Sequence, residues 1–207
     1  MTELSDRILQ AAAAASPWEA AAVALAIAYL LLAIVQNIWC WGAAFVSTCI
    51  YLVLMYEARL YMESVLQLFY LGMAVYGWYH WRHGPGPNHS LPVTSWRLRQ
   101  HAAATAAILA MALASGRVLD TYSDAALPYL DSFTTWGAVV TTWMVARKIL
   151  ENWLYWFVID SVSIYLYVSR GLYLTAWLFA LYLVLIVFGY AAWRRQLRQQ
   201  GPVAAAA

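Results

Sequence analysis

Charge is what this sequence has least of. Asp, Glu, Lys and Arg make up 11% of its 207 residues, against 64% hydrophobic residues, and mean hydropathy is +0.62. A soluble domain carries about a quarter of its residues as charges, so a water-exposed globule is excluded. The net charge of +2 is too small to hold a nucleic acid. Only two cysteines occur, Cys40 and Cys49; they lie in one apolar stretch, too far apart for a disulfide within a helix. His80, His83, His89 and His101 sit in or beside a polar connection without thiol or carboxylate partners at metal-ligand spacing. There is no glycine-rich phosphate loop and no nucleophile elbow, so neither an enzyme nor a cofactor is expected. Residues 1–16 lack the basic start and strong apolar centre of a secretory signal and read as an interfacial N-terminal segment.

What the chain does have is long apolar runs of about 20 residues, the length a helix needs to cross about 30 Å of hydrocarbon. Strands of a β-barrel would alternate in shorter segments. Seven spans are expected, at 18–36, 39–56, 61–81, 99–115, 129–146, 153–169 and 172–193. Pro17 and Pro128 suit helix starts, and Gly84-Pro85-Gly86-Pro87-Asn88 interrupts the longest polar connection. The expected fold is an all-α integral membrane protein with helices arranged three, one, three. Its parts are an N-terminal segment 1–16, a first repeat 17–81, a linker 82–98, a connecting helix 99–118, a second repeat 119–195 and a tail 196–207.

The halves resemble each other. Asn37-Ile38-Trp39-Cys40-Trp41 opens one helix pair and Asn152-Trp153-Leu154-Tyr155-Trp156 the other. Leu60, Tyr61, Tyr70, Gly77 and Trp81 then match Leu172, Tyr173, Tyr182, Gly189 and Trp193 at a constant offset of 112. Direct fusion of two three-helix repeats would invert the second, and the fourth helix restores a parallel pair. Arg82, Arg97, Arg99, Arg147, Lys148, Arg194, Arg195 and Arg198 fall on one side; Arg7, Arg59, Arg117 and Arg170 fall on the other. The positive-inside rule then places the C-terminus in the cytoplasm and the N-terminus outside.

Polar residues recur at helical spacing inside the spans. Asn152, Trp156, Asp160, Ser163 and Tyr167 share one face, with Trp153 beside Trp156. Glu63, Gln67, Tyr70, Ala74, Gly77 and Trp81 form a second stripe; Asn37, Trp41, Thr48 and Tyr51 repeat the pattern in the first half. A carboxylate such as Asp160 is costly inside a membrane and marks a site by default, although bonding to a neighbouring helix is the alternative. Asn152 also reads as a helix N-cap. Gln67 can donate and accept at once, which suits a ribose or carboxamide. Paired indoles offer a slot for a planar, cationic ring, whereas Trp18, Trp96 and Trp193 read as interfacial anchors. Polar and indole side chains from both halves are thus expected to line one small-molecule pathway. A non-transporting scaffold, in which Asp160, Glu63 and Gln67 only tie helices together, is the reading from another class.

The runs Leu60-Tyr61, Gln67-Leu68-Phe69, Tyr76-Gly77-Trp78-Tyr79-His80-Trp81, Glu151-Asn152-Trp153-x-x-Trp156 and Gly171-Leu172-Tyr173-Leu174-Thr175-Ala176 resemble the PnuC family of bacterial vitamin transporters, over about residues 36 to 195. The resemblance implies a three-plus-one-plus-three fold, loosely SWEET-like, in the inner membrane. It implies uptake of nicotinamide riboside, an NAD precursor, by facilitated diffusion with trapping through a cytoplasmic kinase, and a homo-oligomer, in the family a trimer. Trp153 and Trp156 would hold the pyridinium ring, and Gln67, Asn152 and Asp160 would bond ribose or carboxamide. Related members carry thiamine, riboflavin or deoxynucleosides.

Overall fold

The computed structural model describes residues 16–57, 61–86, 89–123, 127–169, 171 and 173–200; the side chains of 61–63, 65 and 174 lie outside that description. Outside it too are Leu60 and Leu172 of the repeat pairs, the arginines at 7, 59 and 170, residues 1–15 of the N-terminal segment and residues 201–207 of the tail.

Seven helices form among the described residues: α1 (Pro17–Ile34), α2 (Trp39–Glu57), α3 (Tyr61–Arg82), α4 (Leu98–Tyr122), α5 (Pro128–Ala146), α6 (Asn152–Ser169) and α7 (Tyr173–Gln199). Pro17 opens α1 behind Ser16, whose Oγ accepts the Glu19 N–H at 3.1 Å, and Pro128 opens α5. Both use the position where a missing N–H costs nothing. α1 stops at Ile34, short of the expected 36, because Gln36 turns left-handed at φ 54°. α4 and α7 run past the expected spans to Tyr122 and Gln199. Backbone hydrogen bonding does not end where apolar sequence ends, so Arg117, Arg194, Arg195 and Arg198 sit on exposed final turns.

Among the described residues, four helical segments are long and apolar enough to cross a bilayer: Pro17–Ile34, Trp39–Glu57, Leu98–Tyr122 and Thr175–Gln199. The other three helices, α3, α5 and α6, carry Gln67, Asp131 and Asp160. Such polar side chains lower the hydropathy of all three.

The chain divides into two compact units, Met1–Leu91 with α1 to α3 and Pro92–Ala207 with α4 to α7. In the first, Ser47 Oγ on α2 donates to Ala22 O on α1 at 2.8 Å. The Trp41 indole lies over Gly77 of α3 and meets Trp81 edge-on, with centroids 5.6 Å apart at 86°. In the second, Trp136 Nε1 on α5 donates to Ser115 Oγ on α4 at 3.1 Å, and Gly137 of α5 lies against Ile159 of α6. Trp153 of α6 lies over Gly189 of α7 and meets Trp193 edge-on, at 5.4 Å and 90°.

These two Trp–Gly–Trp clasps correct the sequence reading twice. Trp41 is equivalent to Trp153, at the same offset of 112 as Gly77 to Gly189; the shared Asn-x-x-x-Trp spelling, which pairs Trp41 with Trp156, is not the structural register. Trp193 is 0% exposed and so anchors no interface; the glycine notch beside it draws the Trp153 ring across the seam and covers it. Trp18, by contrast, is exposed, while Trp96 packs against His101 and Trp143.

The second half of the linker folds onto the second unit. Thr94 N donates to Lys148 O at 3.0 Å and Leu150 N to Thr94 O at 2.8 Å, a short parallel bridge centred on Ile149. Lys148, counted above as a surface charge, is 5% exposed in a left-handed turn at φ 50°.

Candidate substrate site

α6 concentrates the buried polar chemistry. Asn152 is fully buried at its first turn; Nδ2 donates to Ile149 O at 2.6 Å, and Oδ1 has no partner among the described residues. Its amide therefore serves the preceding turn by donating, and the N-cap expectation, which requires accepting an N–H, is not what forms. Two turns on, Asp160 is 4% exposed and makes no hydrogen bond or ion pair among the described residues. Ser163 is buried on the next turn and Tyr167 half-buried, its ring 5.0 Å from Phe179 of α7. Trp156 is half-buried. Trp153 is committed to the seam with α7 and only 2% exposed, its Nε1 without a partner among the described residues.

The stripe on α3 divides in two. Ala74, Gly77 and Trp81 are buried, the last two beneath and beside Trp41. Gln67 is half-buried and its amide has no partner among the described residues; Tyr70, also half-buried, packs at 5.5 Å from Phe69. The Glu63 side chain lies outside the described residues. On α2, Thr48 and Tyr51 are half-buried, and Trp41 is buried with its Nε1 unpartnered among the described residues. Asn37 precedes α2 instead of lying in the span: it is exposed, and its Oδ1 accepts the Trp39 N–H at 3.0 Å.

Two features escaped the sequence reading. Ser132 on α5 is buried with a hydroxyl that has no partner among the described residues, and one serine in an apolar run gives no periodic signal. A groove of about 310 Å³ opens between α2 and α3, walled by Trp41, Phe45, Val46, Ala74, Val75 and Trp78. Its walls are almost wholly apolar, so it offers little to a sugar. What the buried residues can do chemically is accept and donate hydrogen bonds and compensate a cation.

Residues 16–195 match the sequence profile of the family described as nicotinamide mononucleotide transporter. The chain belongs to this family. Among its relatives is the riboflavin/roseoflavin transporter RibM of Streptomyces davaonensis, 25% identical over 81% of this chain and 80% of that one. Another is the nicotinamide riboside transporter PnuC of Escherichia coli, 20% identical over 75% of this chain and 76% of that one. A crystal structure of the vitamin B3 transporter PnuC superposes with a TM-score of 0.71 at 21% identity, covering 87% of this chain and 82% of that one; the likeness is one of fold. This PnuC-family member is therefore a vitamin transporter, a multi-pass inner-membrane protein and not an enzyme.

Proposed function

We propose that the chain takes up nicotinamide riboside by facilitated diffusion, with cytoplasmic phosphorylation trapping the product. Asp160 carries this reading: a carboxylate 4% exposed on α6, with no cationic partner among the described residues. An unpaired carboxylate in apolar surroundings is costly, and a solute with a fixed positive charge offsets that cost. The pyridinium ring of the riboside is such a solute. In the second unit, Trp156 supplies a half-exposed indole face for the ring, and Oδ1 of Asn152, without a partner among the described residues, accepts from the carboxamide; in the first unit, the half-buried Gln67 amide can itself donate to and accept from a hydroxylated solute. Transport in this scheme runs with the N-terminus outside, the C-terminus in the cytoplasm, and the protein as a homotrimer.

The likeness to RibM, at 25% identity against 20% for PnuC, supports a second reading in which a flavin is carried. A flavin is neutral and needs no carboxylate, so the two readings part at Asp160. Calorimetry on purified protein separates them. We expect riboside binding at micromolar affinity or tighter and a Kd at least about tenfold weaker in Asp160→Asn, roughly 1.4 kcal/mol. Riboflavin binding without riboside binding overturns the riboside assignment and leaves the family assignment intact.

A further inference from the structure

The groove between α2 and α3 takes no part in the scheme for the solute. It holds about 310 Å³, near the lower end of the range of about 300–1,000 Å³ usual for ligand pockets. Gly42, Phe45 and Val46 of α2 and Ala74, Val75 and Trp78 of α3 wall it, and Phe45, Val46 and Val75 are also exposed on its outer side. α2 is one of the segments long and apolar enough to cross a bilayer, so the medium at that open side is hydrocarbon. An acyl chain enters such a slot without leaving any polar group unsatisfied.

One end of the groove differs from ordinary lipid-facing surface. There the Trp39 and Trp78 rings meet edge-on, with centroids 5.3 Å apart at 78°. Gly42 makes room for them, since a Cβ on it would lie 3.2 Å from the Trp39 ring and 3.8 Å from the Trp78 ring. The contact joins the start of α2 to the closing turns of α3. Trp39 is exposed, as an indole at headgroup level is. Arg82 follows Trp78 by four residues and Val75 by seven, which puts all three on one helical face, with Arg82 about 6 Å and about 10 Å further along the axis. Arg82 is exposed and makes no ion pair among the described residues. The neighbouring His83 is turned onto its own helix, its ring stacked 4.5 Å from that of Tyr79 and its Nδ1 3.0 Å from Tyr79 O. An apolar slot, an indole collar and an unpaired guanidinium thus succeed one another in the order of acyl chain, glycerol and phosphate in a phospholipid.

We infer that this groove seats one anionic phospholipid, its acyl chain between α2 and α3 and its phosphate on Arg82. Guanidinium suits a phosphate because its planar fork donates two parallel hydrogen bonds. A zwitterionic lipid also carries a phosphate, but its ammonium group offsets the attraction, so net headgroup charge decides between the two. Bound lipid touches both helices of the hairpin and stabilises them by mass action. The seat is independent of which vitamin is carried.

Native mass spectrometry of lipid-stripped protein in detergent, titrated with phosphatidylglycerol or phosphatidylcholine of the same acyl chains, reads the seat directly. One phosphatidylglycerol is expected to bind about fivefold more tightly than phosphatidylcholine, the scale of one basic residue beside an anionic lipid, and to raise the melting temperature further. Arg82→Gln, at an exposed position, removes the preference. Val75→Trp, which fills the groove from an exposed wall, weakens the tight site for both lipids while helix content by circular dichroism stays that of the wild type. Equal affinities in the wild type, a preference that survives Arg82→Gln, or a tight site that survives Val75→Trp overturns the seat. Two other occupants show in the same samples. Displacement of the lipid by nicotinamide riboside or riboflavin would make the groove part of the solute path, and an oligomer that falls to monomers in Val75→Trp would make it a contact between copies; either result overturns the lipid assignment.

Discussion

Asp160 and Gln67 are alike in having polar groups that no described neighbour satisfies, yet they differ in what that costs. Asp160 is almost fully buried, whereas Gln67 is half-buried and can be hydrated. A residue kept only to tie helices together makes its hydrogen bond in the resting fold and loses stability when truncated. Gln67 makes none among the described residues, so Gln67→Ala is expected to leave the melting temperature nearly unchanged while weakening riboside binding by about tenfold, roughly 1.4 kcal/mol. Melting and calorimetry on one preparation check both halves of this expectation. A large loss of stability with unaltered binding would support the scaffold role instead. Asn152, in contrast, has half of its amide engaged with Ile149 O, so its truncation mixes packing with binding and discriminates less.

At the scale of helices, the Trp–Gly–Trp clasps are the repeated unit. A Cβ added at Gly77 would lie 2.3 Å from the Trp41 ring, and one at Gly189 would lie 2.4 Å from the Trp153 ring. Both indoles are edge-on to a second, buried Trp on the facing helix, so neither ring has room to yield. Gly77→Ala and Gly189→Ala are each expected to destabilise by about 1–3 kcal/mol, the usual cost of overpacking. Thermal unfolding in detergent measures it, and the two losses should be similar because the two geometries are. An unchanged melting temperature in both variants contradicts the clasp. The clasps also reassign the aromatic residues: Trp153 is held by α7, which leaves Trp156 as the more accessible indole of the Trp-x-x-Trp pair.

For the whole molecule, sidedness rests on the distribution of positive charge. Withdrawing the buried Lys148 from the count leaves Arg82, Arg97, Arg99, Arg147, Arg194, Arg195 and Arg198 as the majority, all exposed. A reporter fused after the last residue should therefore report from the cytoplasm; activity from the outer face reverses the assigned orientation.

The membrane class, the seven helices and most of their ends were readable because each depends on local quantities: apolar run length, proline at a first turn, glycine and proline in a connection. The offset of 112 was readable because Tyr70, Gly77 and Trp81 keep their spacing in Tyr182, Gly189 and Trp193. The polar faces of α3 and α6 were readable from helical periodicity. Which members of those faces are spent on packing was not. Trp153 and Trp156 look interchangeable in the sequence, and so do Trp18 and Trp193, until the facing helix brings a glycine under one ring and covers another. Burial of Lys148 and the lack of a described partner for Asp160 likewise depend on groups distant in sequence. Periodicity tells which direction a side chain leaves its own helix; only the neighbouring surface decides what it meets.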